Sequence, residues 1–194
     1  MSTVAQSVVN LSASQRAAVE TIEREMNAAG IPPAVIAAAV VNAWAESRLN
    51  PLVVANEPKG GQSVGLFQLY DYGLGHGLTV QQRQDPVLNT RVVIAAYQKL
   101  GKPIATAAAR GAGIPELTAM WTKYIENPSS SAEKGAERAA YAARLFPSGL
   151  SASLWAVGTP SPLAPVSDHS GLLWAAGAAT AVLIVAALWR RGSL

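Results

Sequence analysis

Cysteine is absent from the sequence, which excludes disulfides and every metal site built on thiolates. Histidine is almost absent: His76 and His169 lie too far apart in the chain to suggest a ligand cluster, and both read as loop or solvent residues. No metal and no cofactor is implied. Charged residues make up only 14% of the chain, and the formal net charge of +3 comes from scattered Lys and Arg rather than from a basic run interleaved with aromatics. That pattern argues against nucleic-acid recognition. The opening residues MSTVAQSVVN contain no basic n-region, no hydrophobic h-region and no small-residue cleavage site, so no secretory signal is visible.

Apolar surface is what the chain has in quantity. Hydrophobic residues form 50% of its 194 positions, and such a length allows one domain of roughly 150 residues with its own core plus something extra. The extra part lies at the end. Residues 171–189, GLLWAAGAATAVLIVAALW, carry no charge over 19 positions, and at 1.5 Å per residue they would span roughly 28 Å, close to the hydrocarbon thickness of a bilayer. Trp174 and Trp189 stand where interfacial anchors belong, and Arg190 and Arg191 close the segment. Before it, residues 147–170 hold four prolines and six serines in 24 positions and read as a tether. The expected organisation is an arm over 1–13, a folded domain over 14–146, a linker over 147–170, a transmembrane helix over 171–189 and a short basic tail over 190–194.

Within the domain, helices are expected over 14–29, ended by Gly30, and over 33–47, 86–100, 114–125 and 132–145, with a short one in ATAAARGAG and a small β element over 63–69. The helix from Pro33 to Ser47 is apolar nearly all round. Its only small or polar stripe, Ala39, Asn42, Ala43 and Glu46, is expected to face a cleft or water. Glu46 stands in the last turn, where the carbonyl end of the helix and an apolar neighbourhood both favour the protonated carboxyl that a general acid needs.

The segments that follow carry a resemblance. ESRLNP, at 46–51, followed by SVGLFQL, at 63–69, resembles the Glu-Ser-x-x-Asn-Pro and Gly-Leu-x-Gln motifs of the lysozyme-like superfamily, in particular soluble lytic transglycosylases and goose-type and phage-virion lysozymes. DPVLN, at 85–89, looks like the Asp-Pro-x-x-Asn helix of the same family. The resemblance implies a mainly α, lysozyme-like α+β fold with a β-hairpin beside the catalytic helix. It puts Glu46 in the position of the catalytic acid, Ser47 and Asn50 in those of residues bracing the helix end, and Ser63, Gly65 and Gln68 along a sugar-binding cleft. Asp71 is the candidate second carboxylate, and Asp85 is expected to cap its helix before Pro86. Two departures stand out: Tyr70-Asp71 replaces the family's Met-Pro, and no Ala-Tyr-Asn-x-Gly motif is recognisable. MWTKYIENP, at 120–128, stands in its place, with Tyr124 as candidate cleft residue; Tyr97 reads as core.

The implied substrate is the glycan strand of peptidoglycan, cut by a lytic transglycosylase that needs Glu46 alone, or by a lysozyme that pairs Glu46 with Asp71. A non-enzymatic virion protein with a lysozyme-like head is the reading from another class. The chain lacks a visible signal, yet its implied substrate lies outside the cytoplasm. A phage particle with a membrane reconciles the two: the expected location is the virion, anchored through 171–189 beside other virion proteins, with the enzyme opening the host wall as the genome enters.

Overall fold

The computed structural model describes residues 4–126 and 131–149. Of the sequence-based expectations, Pro128, most of the linker, the apolar segment 171–189 and the basic tail lie outside the described residues. Among the described residues no helix is long and apolar enough to cross a membrane.

Local punctuation sets most boundaries. Helix α2, Ala13–Ala28, opens with a capping box in which Ser12 accepts from the Gln15 N–H and the Gln15 side chain accepts from the Ser12 N–H. It closes at Ala29 ahead of Gly30, whose φ of 71° suits glycine. Helix α3, Pro33–Ser47, starts on a proline at its first position, where the missing N–H costs no bond. Helix α5, Pro86–Leu100, is capped by Asp85, which accepts from the N–H groups of Val87 at 2.8 Å and Leu88 at 3.2 Å. Helices α6, Lys102–Ala109, α7, Ile114–Trp121, and α8, Ser131–Leu145, complete the bundle. The segment expected as one helix over 114–125 changes pitch after Trp121 and continues as a π-helical turn, Thr122–Glu126.

Helix α3 runs through the centre, with Ala34 to Ala43 all buried. The expected cleft-facing stripe is thereby corrected: Ala39, Asn42 and Ala43 have no exposed surface, and α7 and α8 pack against this helix. In the same core Trp121, fully buried, stacks on Tyr97 with ring centroids 5.9 Å apart, and Phe67 lies 6.3 Å from it. Burial raises the pKa of the Tyr97 hydroxyl above its ordinary value.

The expected β element is a three-stranded antiparallel sheet in the order β1, Val54–Asn56, β2, Gln62–Val64, and β3, Leu69–Tyr70. Val54 faces Val64, and Val64 faces Leu69. Arg83, from helix α4, Val80–Gln84, is 2% exposed and staples this hairpin, donating to the Gln62 carbonyl at 2.7 Å and the Leu69 carbonyl at 2.9 Å. The segment read as an arm contains a short helix α1, Val4–Ser7, docked on the bundle: Val4 and Ala5 donate their N–H groups to the buried Glu23, at 2.8 and 3.0 Å.

Candidate active site

The three motifs converge on one loop, Gly65 to Gln68, between β2 and β3. From α3, Ser47 Oγ donates to the Leu66 carbonyl at 2.9 Å, tying the end of the Glu46 helix to the loop. From α5, the fully buried Asn89 accepts from the Phe67 N–H at 3.0 Å and donates to the carbonyls of Val64 at 3.1 Å and Arg83 at 2.6 Å. Gly65 lies between them with φ +86°, and a Cβ there would fall 2.2 Å from both the Arg83 carbonyl oxygen and Asn89 Nδ2. The protein's own packing by itself therefore requires glycine here. Replacing Asn89 with Leu strands the Phe67 N–H and two carbonyls at once, so a loss of about 2–4 kcal/mol is expected. Urea denaturation measures it, and a stability within 1 kcal/mol (about the worth of a single hydrogen bond) would show that the clamp contributes little.

Helix α3 ends abruptly. Arg48 and Leu49 both adopt left-handed conformations, with φ of 55° and 60°, and the Arg48 N–H closes the last turn on the Trp44 carbonyl at 2.9 Å. Asn50 then accepts from the Leu52 N–H at 3.0 Å, which turns the chain towards β1. Two adjacent non-glycine residues in this region store strain of roughly 1–3 kcal/mol each, and they do so immediately after Glu46 and Ser47.

Glu46 does not meet the apolar neighbourhood expected for it. Its Oε1 takes an ion pair from Arg138 Nη2, 92 residues further along the chain on α8. The Arg138 side chain is 6% exposed and that of Glu46 23%, so the carboxylate sits at the boundary between core and solvent. Arg138 Nη1 also pairs with Glu126 on the π-helical turn and donates to Asn42 Oδ1 at 2.9 Å. Asn42 in turn accepts from Thr122 Oγ1 at 2.8 Å and donates to the Ala38 carbonyl at 2.8 Å. A polar chain thus runs from the centre of the core to Glu46, with two carboxylates sharing one guanidinium.

The remaining sequence-derived residues lie on the sheet side or the π-helical turn. Gln68, with φ 45°, uses its amide N–H groups on the Gly65 carbonyl at 2.9 Å and the Val53 carbonyl at 3.3 Å. Ser63 is buried and donates to Glu57. Asp71 has both oxygens engaged, Oδ1 with Arg83 Nη2 at 2.5 Å and Oδ2 with the Gln62 N–H at 2.6 Å. Tyr124 is half-buried against the core, with Lys123 Nζ 5.2 Å from its ring centre.

Compared with known families, residues 16–148 match the model described as phage tail lysozyme. The chain belongs to the phage tail lysozyme family. It is a lysozyme-like phage protein of the peptidoglycan-degrading, virion-associated kind. No curated protein and no solved structure matches it. The family match contains Glu46, the Gly65 loop, Asn89, Glu126 and Arg138, and leaves out α1 and residues 171–189.

In this phage tail lysozyme two residues of the cluster around Glu46, Arg138 and its second partner Glu126, escaped sequence reasoning. Arg138 had a signal: it falls on the stripe Gly135, Arg138, Ala142, Leu145, every other member of which is a small or apolar core position. A lone charge on such a stripe calls for a buried partner. Glu126 offered nothing comparable, because a glutamate ahead of Asn-Pro reads as a solvated helix end.

Proposed function

We propose that this phage tail lysozyme is a lytic transglycosylase acting on the β-1,4 bond between N-acetylmuramic acid and N-acetylglucosamine. Glu46, as the acid, gives its proton to the glycosidic oxygen as the bond to the muramyl C1 breaks. As carboxylate it then takes the proton of the muramyl 6-hydroxyl, whose oxygen attacks C1 and closes the 1,6-anhydro ring. Atoms balance without water. The observation that carries the reading is the state of the carboxylates around the Gly65 loop. Glu46 meets solvent with a contact to Arg138 at Oε1 among the described residues, while Asp71, the second carboxylate a hydrolase would need, has each oxygen held, one by Arg83 and one by the Gln62 N–H. Gln68 and the Gly65 loop, fixed against α3 by Ser47, support a sugar-binding edge beside Glu46.

The wider setting follows from the sequence. The uncharged segment 171–189 supports attachment to a lipid membrane of the particle, with the lysozyme-like head opening the wall locally as the genome enters. The experiment is digestion of purified peptidoglycan by the full chain, with mass spectrometry of the products, on protein first detected in purified particles. Anhydromuramyl ends are the expected result. Reducing ends alone would overturn the transglycosylase in favour of a muramidase using Asp71, and intact glycan across several wall types would favour a structural virion protein.

A further inference from the structure

Arg138 holds two carboxylates of different kinds. Glu46 is partly open to solvent, whereas both oxygens of Glu126 are buried, and their ion partner among the described residues is Arg138. Glu126 cannot touch a sugar from there, so it is no second catalytic carboxylate. Its effect on the reaction must pass through the arginine. Two carboxylates against one guanidinium leave the cluster one negative charge in excess, and the deeper carboxylate has the stronger claim on the cation because water screens it least. With Arg138 neutralised from the buried side, Glu46 is held in place by a hydrogen-bonding partner without being fully committed as its counter-ion.

We propose that Glu126 is a positioning residue for Glu46: it takes up the charge of Arg138, so that the guanidinium holds Glu46 as a hydrogen-bond donor and not as its sole counter-ion. The proposal rests on the acid role of Glu46. Without the Glu126 charge, Arg138 has Glu46 as its only anion in the cluster, and the ion pair draws the Glu46 carboxyl towards the guanidinium and away from the glycosidic oxygen. Asn42 secures the geometry by fixing Nη1 from the core side, and it carries no charge of its own.

The test compares full-length wild type, Glu126→Gln and the double variant Glu126→Gln/Arg138→Gln on soluble peptidoglycan fragments, with melting temperatures for each. Glu126→Gln is expected to lower kcat by about 10- to 100-fold with KM within about twofold, the scale set by a charge-assisted hydrogen bond gained by the resting carboxylate. The double variant removes the competing cation together with the charge it served, and kcat is expected to rise at least about threefold above that of Glu126→Gln. A merely structural role predicts the opposite, since a second lesion in the same cluster would compound the first. Unchanged kcat in Glu126→Gln, or a double variant as slow as the single one, overturns the proposal. Should Glu126→Gln fail to fold, Glu126→Asp, which keeps the charge, is read against wild type, and a kcat deficit beyond about tenfold overturns the proposal. A wild-type chain that cleaves nothing overturns the functional reading itself, and the positioning role falls with it.

Discussion

Glu46→Gln is expected to slow glycan cleavage by about 10²–10⁴-fold, the usual contribution of a general acid, while leaving the fold intact. The amide occupies nearly the same volume, and its carbonyl oxygen can still accept from Arg138 Nη2, so the polar chain through Asn42 and Thr122 is kept. Glu126 still balances the buried guanidinium. Ser47 and the Gly65 loop are untouched, because their bond uses the Leu66 carbonyl and not the Glu46 side chain. What the substitution removes is the proton that the proposed mechanism moves: an amide neither protonates a leaving oxygen nor takes a proton from a hydroxyl. Release of soluble muropeptides, followed with circular dichroism on the same samples, is the measurement. A folded variant within tenfold of wild type would take the acid role away from Glu46 and send the search to Asp71, the carboxylate whose side chain is 30% exposed on the sheet side.

How far the sequence alone could reach depended on the range of the interaction. Helices α2, α3 and α5 were readable to within a residue because their ends are written locally, in Ser12 with Gln15, in Pro33, and in Asp85 with Pro86. Helix α1 and strand β1 were not readable: four and three residues are too few to display a period, and each is stabilised by partners far away, Glu23 for α1 and β2 for β1. The motifs pointed to residues that the structure gathers around the Gly65 loop, but not to the contacts that hold them there. Gly65 is needed to make room for Asn89 and Arg83, and Ser63 answers to Glu57. The charge environment of Glu46 was the least legible feature, since it is supplied from 92 positions downstream by a residue with no motif.

Arg138→Met is expected to destabilise the domain by about 3–5 kcal/mol, the effect typical of removing one member of a buried ion pair. For a domain of this size that lowers the melting temperature by roughly 10–20 °C. Methionine matches much of the stem volume, so the loss is electrostatic and not a cavity effect. It leaves the two buried oxygens of Glu126 without their cation and frees Asn42 Oδ1 from one of its two donors. Glu46 can relax towards water, being 23% exposed, whereas both oxygens of Glu126 are buried. The destabilisation is therefore charged almost wholly to Glu126, and adding Glu126→Gln to Arg138→Met should recover most of it, although both side chains of the pair are then gone. Thermal unfolding of the two variants beside wild type measures this. If Arg138→Met melts within about 3 °C of wild type, less than 2 kcal/mol by the same conversion, the guanidinium is not a buried structural charge. In that event the coupling of Glu46 to the core through Asn42 loses its physical basis.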